Sequence, residues 1–381
     1  MTPLPPLCLK NATLIRPEGV GQGFLSLAGG RILDGTAGRA VDLSGFIVAP
    51  GIVDLHGDGF ERHLAPRRGA LSDPGAGLDA LDAELAANGI TTAVLAQFFS
   101  WEGGMRGPDF AEALAQALAK ARPLTDMHLQ LRLEVNLQAE YDRALRLIRA
   151  AGIGYVVFND HLPHKALAAG KRPPRLTGQA LKSGRSPQAH LAHLQDLHAR
   201  RAEVPAALAA LAATLRSEGV RMGSHDDPDP AVRAGFRAFG ADIAEFPVTA
   251  EAARAARDAG DPVILGAPNV GRGGSHDGRV SARDLLARGI GDALVSDYHY
   301  PAPRQAAFAL ADAGTMPLHR AWALISAGPA RVMGWADRGR LAPGARADLT
   351  ILDATTRRVA ATIAGGRIGF LRGDLAGRFL G

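Results

Sequence analysis

Two hydrophobic periodicities alternate through the middle of the chain. Short apolar runs rich in β-branched residues, such as Ile90–Ala96, are typical of strands buried on both faces. Segments with helical spacing lie between them, and Leu78–Asn88 is one that ends before Gly89. This alternation predicts an α/β fold, which we interpret as a (β/α)8 TIM-like barrel over residues 51–339, with a doubly wound open sheet as the alternative. The eight predicted barrel strands are Ile52–Leu55, Ile90–Ala96, Leu129–Val135, Tyr155–Phe158, Val220–Gly223, Ile243–Phe246, Val263–Ala267 and Ala293–Ser296.

Both ends of the chain show a different pattern, in which short strand-like runs accompany Gly-Gly turns at residues 29–30 and 365–366. Neither end would have a core of its own. We therefore predict that residues 1–50 and 340–381 form one small β-sandwich domain built from both termini. The candidate strands are Leu7–Ile15, Gly23–Leu27, Ala347–Leu352 and Val359–Ile363.

One connection, at about residues 162–205, is far longer than a usual loop between a strand and a helix. Its first half is basic and is a candidate lid over an anionic substrate, with a solvated insertion as an equal alternative. Its second half is predicted to be a helix that carries His190, His193 and His198. Their spacings do not place all three on one face, so we assign them to a surface helix or an oligomer interface. The basic residues are Lys165, Lys171, Arg172, Arg175, Lys182 and Arg185.

Composition and charge narrow the classes of protein. The chain has 381 residues, of which 47% are hydrophobic, and is long enough to bury a large core. Its formal net charge is +5, but no basic helix or set of stacking aromatic residues accompanies that charge, so we expect no nucleic-acid partner. The single cysteine, Cys8, excludes an internal disulfide framework. Without a leader-like start or an apolar run of about 20 residues, we expect a cytoplasmic protein with no membrane partner.

Chemically active residues concentrate where the predicted strands end. His56 and Asp58 are two residues apart and share one face of the first strand's end, as two metal ligands would. The ends of later strands add two histidines and two carboxylates. Because buried acids need a cation, we predict one or two divalent metal ions, with zinc as the first choice and manganese or iron as alternatives. The predicted metal-site residues are His56, Asp58, Glu134, His161, His225 and Asp297.

A metal at these strand ends indicates hydrolysis, since a bound divalent ion lowers the pKa of water. Asp297, after the last strand, is the predicted acceptor of the water's proton, and His161 and His225 are the other candidate catalytic residues. Arginine side chains and the backbone amides of a glycine-rich loop could hold phosphate nearby. The candidate substrate-binding residues are Arg67, Lys165, Arg272, Ser275 and His276.

These residues carry a family resemblance. The run from Pro50 to His56 and the ligand-bearing strand ends resemble the amidohydrolase superfamily, although most members have His-X-His where this chain has His56-Gly57-Asp58. Within that superfamily, the chain more closely resembles the phosphonate-utilisation diphosphatases of the carbon–phosphorus lyase pathway, which act on α-D-ribose 1-methylphosphonate 5-triphosphate. The motifs of this narrower match include Glu61-Arg62-His63, Asn159-Asp160-His161, Ser224-His225-Asp226-Asp227, Gly266-Ala267-Pro268-Asn269 and Ser296-Asp297-Tyr298.

The resemblance implies cleavage of the 5-triphosphate to 5-phosphoribosyl 1-methylphosphonate and diphosphate at the same six metal-site residues, with a small anionic sugar phosphonate as the partner. One departure follows His161, where Leu162-Pro163-His164 stands in place of an expected Thr-Pro-Gly. A deacetylase or cyclic amidase of the same superfamily is the main alternative, and it would need neither Arg272 nor a basic lid. A non-catalytic binding module is the second, and it would have lost ligand-type residues. The His-rich helix leaves a homodimer open.

Overall fold

The computed structural model describes residues 2–65, 67, 73–271 and 280–380. Within them, the strands form two sheets of eight strands each. The first sheet takes its strands from the two ends of the chain, and the second takes them from the middle. In chain order the strands are β1 (Leu7–Arg16), β2 (Gly19–Ala28), β3 (Arg31–Leu33), β4 (Arg39–Asp42), β5 (Phe46–Pro50), β6 (Ile52–Gly57), β7 (Ile90–Phe99), β8 (Asp126–Glu134), β9 (Tyr155–Asn159), β10 (Arg221–His225), β11 (Ile243–Glu245), β12 (Val263–Gly266), β13 (Ala293–Val295), β14 (Leu349–Asp353), β15 (Val359–Ala364) and β16 (Arg367–Leu371).

The first sheet joins the two ends of the chain. Its order is β16-β15-β14-β5-β1-β2-β3, with β4 paired to β1. Strand β5 is the junction, since Val48 lies opposite Leu14 of the parallel β1 and opposite Ile351 of the antiparallel β14. These three side chains are at most 1% exposed and share one hydrophobic core. The prediction that both termini build one β structure is confirmed, and the bounds 1–50 and 340–381 stay a prediction.

The second sheet is parallel and runs in chain order from β6 to β13. Its first and last strands also meet, because Gly57 at the end of β6 bridges Asp297 just after β13. The amide of Asp297 donates to the carbonyl of His56, and the amide of Asp58 donates to the carbonyl of Asp297, both at 2.9 Å. The sheet therefore forms a barrel, which confirms the (β/α)8 prediction over the open sheet. Each barrel strand begins and ends within about three residues of its predicted bounds.

The helices begin at recognisable caps. Asp73 accepts a hydrogen bond from the amide of Ala76, and Ser186 accepts one from Ala189, and in both cases proline follows the cap. Across the described ranges, no helix has both the length and the apolar character needed to cross a bilayer. The helices are α1 (Glu61–Leu64), α2 (Pro74–Ala87), α3 (Pro108–Lys120), α4 (Tyr141–Ala151), α5 (His164–Ala168), α6 (Leu176–Lys182), α7 (Pro187–Ala199), α8 (Val204–Ser217), α9 (Pro230–Ala238), α10 (Ala250–Asp258), α11 (Pro268–Gly271), α12 (Ala282–Ala287), α13 (Ala302–Asp312), α14 (Leu318–Ala323), α15 (Ala327–Val332) and α16 (Asp374–Leu380), with 3-10 turns at Gly104–Arg106, Gln138–Glu140 and Arg200–Glu203.

The chain divides into two compact units. The first unit contains the terminal sheet and barrel strands β6, β12 and β13, and the second contains β9, β10 and β11. Each unit holds three of the six predicted metal-site residues. The first unit comprises Met1–Leu95, Ala121–His128 and Pro262–Gly381, and the second comprises Ala96–Lys120 and Leu129–Asp261.

The predicted insertion lies in the second unit and is helical over α5, α6 and α7. Its basic residues are exposed, apart from the partly buried Arg185. The assignment of His190 to a surface helix is wrong, because its side chain is fully buried and its ring lies 6.0 Å from that of Trp101. Burial and the charge of Arg185 lower the pKa of His190. His190 is therefore a core residue that joins α7 to the rest of the second unit.

Candidate metal centre

Strand β8 carries three polar side chains on one face. Gln130, Arg132 and Glu134 are two residues apart, so they point to the same side of the strand. All three are at most 5% exposed, which is rare for such residue types. Each contacts a polar residue on or just after a later barrel strand. Because buried polar groups need partners, β8 organises a connected polar cluster within the second unit.

Glu134 is fully buried and is held from two sides. Its Oε1 lies 2.5 Å from Nδ1 of His161. Its Oε2 accepts hydrogen bonds from the backbone amide of His161 and from the indole Nε1 of Trp101, both at 3.1 Å. Burial lowers the pKa of His161, but the hydrogen bond and charge of Glu134 outweigh burial, and the pKa lies above its usual value. The carboxylate therefore has a fixed orientation and stabilises positive charge beside it.

His225, at the end of β10, is oriented by a second buried carboxylate. Its Nδ1 lies 3.2 Å from Oε2 of Glu245, a fully buried residue at the end of β11. Oε1 of Glu245 accepts hydrogen bonds from Gln130 at 2.8 Å and from the Tyr155 hydroxyl at 2.6 Å. Burial and the charge of Glu245 raise the pKa of Tyr155 well above its usual value, so the hydroxyl keeps its proton and donates. In the tautomer whose Nδ1–H donates to Glu245, the lone pair of His225 is on Nε2.

Arg132 brings a permanent positive charge into this cluster. Its Nη2 lies 2.8 Å from Nε2 of His225, and its guanidinium sits 3.9 Å from the centroid of the Phe98 ring. The side chain is 5% exposed. A guanidinium stays charged at all ordinary pH values and binds planar oxyanions through paired donors. The second unit therefore combines two buried carboxylates, two imidazoles and one buried guanidinium.

The first unit holds the other three predicted metal-site residues. His56 is fully buried at the end of β6, and Asp58 and Asp297 are partly buried. Below them, Asp54 accepts hydrogen bonds from the amide and the hydroxyl of Ser296, at 2.9 and 2.5 Å. Burial raises the pKa of Asp54 despite these bonds. The pair ties β6 to β13 and fixes the backbone that carries the three residues.

Gly57 stands between His56 and Asp58 because no side chain fits there. A Cβ at this position would lie 2.8 Å from Tyr300 Cε1, 2.9 Å from Asp54 Oδ2 and 3.0 Å from Ser296 Oγ. Real Cβ atoms essentially never show contacts under 3.0 Å. The glycine of the His-Gly-Asp motif therefore lets β6 approach the residues that follow β13.

Three non-glycine residues within two positions of the ends of barrel strands have a left-handed backbone. They are Asp226 after β10, with a φ of 59°, Phe246 after β11, with 52°, and Asp297 two residues after β13, with 55°. This conformation costs free energy for residues with a Cβ and concentrates at functional sites. It turns the chain sharply at the strand ends. Asp297 thereby exposes its carboxylate in part while its own amide stays hydrogen-bonded to β6.

The predicted substrate-binding residues are less well defined. Arg67 is exposed, and Lys165 is exposed on α5. Arg272, Ser275 and His276 lie outside the described residues, so their role stays a prediction. His164, the departure from the expected family motif, places Nε2 3.1 Å from Asp160 Oδ1 and Nδ1 2.9 Å from Nδ1 of His198. This contact links the loop after β9 to α7 within the second unit.

Sequence reasoning missed three residues of the cluster as functional candidates. Glu245 was visible as a carboxylate that ends an apolar run, the same signal that identified Glu134. Arg132 stands in a buried strand, where a charged residue is unusual, and was a detectable anomaly. Trp101 gave no signal, because only the packing of the chain after β7 shows that its indole reaches Glu134.

The chemistry of the donors fits a divalent metal ion. The first unit offers an imidazole and two carboxylates at adjacent strand ends, and the second offers buried carboxylates that orient two imidazoles. Ligand imidazoles in metalloproteins are commonly held by a carboxylate in this way. Mixed nitrogen and oxygen donors suit zinc, manganese or iron.

Comparison with known proteins adds to this geometry. The profile of the amidohydrolase family matches residues 60–370. The chain is 29% identical to the alpha-D-ribose 1-methylphosphonate 5-triphosphate diphosphatase of Escherichia coli K12, over 91% of this chain and 94% of that protein. The solved structures that share the fold include the two that follow. N-acetylglucosamine-6-phosphate deacetylase from Pasteurella multocida has a TM-score of 0.63 at 11% identity, covering 95% of this chain and 99% of that chain. N-acyl-D-glutamate deacylase from Bordetella bronchiseptica has a TM-score of 0.57 at 18% identity, covering 96% of each.

Proposed function

The chain belongs to the amidohydrolase family, and from that premise we propose that it cleaves the 5-triphosphate of α-D-ribose 1-methylphosphonate 5-triphosphate. The products are 5-phosphoribosyl 1-methylphosphonate and diphosphate. One observation carries the proposal: the chain matches a diphosphatase of this substrate over 91% of its length. The structure describes all six residues that the sequence predicts for the metal site.

The metal-site residues of the proposed enzyme are His56, Asp58, Glu134, His161, His225 and Asp297. Their support is positional, because each lies on or directly after a strand of one parallel barrel, and the carboxyl ends of such strands carry the active site. A divalent ion bound there would lower the pKa of water and polarise the phosphoryl group. Zinc is the ion we propose first, and manganese and iron suit the same donors.

The chain's own residues account for the remaining steps. Asp297 accepts the proton of the attacking water, whose oxygen forms a bond to the phosphorus nearest the ribose. The bond from that phosphorus to the bridging oxygen breaks, and diphosphate leaves with that oxygen. Trp101 holds Glu134, and Glu245 holds His225, so both groups keep their orientation during the reaction.

Positive charge favours a triphosphate over a neutral amide. Arg132 is buried beside His225, and five basic residues of the insertion are exposed. Arg67, Lys165, Arg272, Ser275 and His276 are the substrate-binding residues that we propose. A deacetylase or cyclic amidase of the same family is the second candidate, because two of the fold's structural neighbours are named deacetylase and deacylase.

A substrate comparison tests the proposal. The purified, metal-loaded protein is assayed with the ribose methylphosphonate triphosphate and with N-acetylglucosamine 6-phosphate, and kcat/KM is measured for each. We expect the triphosphate to be favoured by at least about 1,000-fold, since an amide offers no anionic leaving group to the basic residues. Faster hydrolysis of the amide would contradict the diphosphatase function and favour the deacetylase function for this chain.

A further inference from the structure

The contact between Arg132 and His225 bears on how many metal ions the centre holds. Metal-site histidines bind through the nitrogen whose lone pair is available, and the other nitrogen donates to an orienting group. In His225 the orienting group is Glu245, at 3.2 Å from Nδ1, so Nε2 is the atom that a metal ion would need. That atom has Nη2 of Arg132 at 2.8 Å.

Arg132 is positioned firmly. Its side chain is 5% exposed, and its guanidinium stacks 3.9 Å from the centroid of Phe98. It projects from the same face of β8 as Gln130 and Glu134. Gln130 donates to Glu245 and Glu134 contacts His161, and these contacts fix the position of the strand. Moving the guanidinium away would break its cation–π contact with Phe98, and the buried charge of Arg132 would then need new polar partners.

A single nitrogen lone pair accepts one strong partner, either an N–H donor or a metal ion. A divalent ion on Nε2 of His225 would also stand next to the guanidinium of Arg132, whose side chain is 5% exposed, and like charges repel strongly where they are buried. The two buried carboxylates, Glu134 and Glu245, need positive charge nearby, and Arg132 supplies it permanently.

We propose that Arg132 takes the place of a second metal ion, so that the centre binds one divalent ion and the guanidinium supplies the second positive charge beside His225. His225, one of the six residues proposed above for the metal site, then serves there as the partner of Arg132 and not as a ligand of the ion. In the proposed reaction, on which this role rests, Arg132 is the cation that stabilises the phosphoryl oxygens as negative charge develops on them. The number of ions is a property of the protein that can be measured without any substrate.

The test counts bound metal. Wild-type protein is loaded with zinc, passed through a desalting column and analysed for metal per chain, with calorimetric titration of the apoprotein alongside. We expect one ion per chain. Arg132→Met keeps an apolar side chain of similar length but removes the donor and the charge, and we expect it to bind two ions per chain. The control is Arg106→Met, because Arg106 stacks on the same Phe98 ring at 4.2 Å, and we expect it to stay at one.

Two outcomes overturn the proposal: two ions of similar affinity in the wild type, or one ion with unchanged affinity in a folded Arg132→Met. If circular dichroism shows that Arg132→Met does not fold, the metal content of the wild type and of Arg132→Lys tests the proposal. Both keep the positive charge, so each must bind one ion, and two ions in either would contradict the proposal. Failure of the proposed function is a separate result. It would show as absent diphosphate release from a protein that still binds one ion.

Discussion

Two of the predicted metal-site residues, Glu134 and His225, are held in place by neighbouring side chains. Glu134 accepts from Trp101 at 3.1 Å, and His225 lies 3.2 Å from Glu245. Such outer contacts fix the direction in which a ligand atom points and so affect metal affinity. The buried His190 of α7 packs against the same Trp101. The insertion therefore helps to position the indole that donates to Glu134.

Substitution of Trp101 tests this support. Trp101→Phe keeps an aromatic ring but removes the hydrogen bond to Glu134 Oε2. We expect metal affinity to fall by about tenfold, the low end of the effects seen when such outer contacts are removed. Calorimetric titration of the apoprotein measures it.

The matched control is Tyr141→Phe. Tyr141 donates a buried hydrogen bond of 2.6 Å to the carbonyl of Val135, the residue after Glu134. It feels the charge of Glu134, but its hydroxyl bonds to this carbonyl and not to the carboxylate. We expect this variant to lose some stability and to keep its metal affinity. Equal losses of affinity in both variants would show that the effect of Trp101 is general destabilisation.

Substitution of Arg272 tests the phosphate-binding residues. Arg272→Ala should raise the KM for the triphosphate far more than for a neutral ester, because an arginine contributes to binding mainly through anionic oxygens. The control is Arg288→Ala, at the exposed end of α12. Steady-state kinetics on both substrates measure the effect, and equal changes in the two KM values would remove Arg272 from the substrate site.

The sequence offered candidate residues for the site, but not the contacts that those residues make. The six predicted metal-site residues were recognisable because polar side chains at the ends of apolar strands are costly unless they have a function. Trp101 and Arg132 could not be assigned roles in the same way, because their contacts join segments far apart in the chain. The burial of His190 could not be predicted from the sequence, because α7 carries polar and apolar residues on more than one side.

At the level of elements, the barrel strands followed from the apolar runs to within about three residues, while the sequence left an open sheet as the alternative to the predicted barrel. Closure depends on specific contacts between the first and last strands, such as Asp54 with Ser296 and Gly57 beside Asp297. A partly buried ion cluster likewise fixes the start of β8 within the first unit. Asp126 Oδ2 accepts from Arg338 at 2.5 Å and from Arg346 at 2.6 Å.

Asp126→Asn tests that cluster. Burial raises the pKa of Asp126, but hydrogen bonds and the charges of His128, Arg338 and Arg346 outweigh it, so the pKa in the folded state is strongly lowered. A lowered pKa gives stability that is fully present above the unfolded-state value and is lost as the pH falls below it. Because the side chain is 28% exposed, we expect the variant to lose only about 1–2 kcal/mol at about pH 7.

Urea unfolding at about pH 7 and about pH 3 measures this loss, and the difference between Asp126→Asn and wild type should shrink at the lower pH. Asp109→Asn is the control, since Asp109 pairs with Arg143 but its side chain is 94% exposed. We expect it to change stability by less than about 0.5 kcal/mol. A difference for Asp126→Asn that stays constant with pH would contradict the ionic role.

At the scale of the whole molecule, the two ends of the chain meet in one sheet while the middle forms the barrel. The sequence indicated both, because the ends lack apolar residues for separate cores and the middle alternates strands with helices. The match to the E. coli diphosphatase likewise extends over 94% of that protein. The proposed reaction rests on this match and not on the barrel, because the same fold hosts many chemistries.

The central claim is that the protein releases diphosphate from the ribose methylphosphonate triphosphate with a bound metal ion. ³¹P NMR of the metal-loaded protein with this substrate tests it most directly, with a chelator-treated sample and Glu134→Gln as controls. We predict signals of diphosphate and of a 5-monophosphate, both absent after chelation and strongly reduced in the variant. An unchanged triphosphate in the presence of bound metal, or release of orthophosphate in place of diphosphate, would contradict the account.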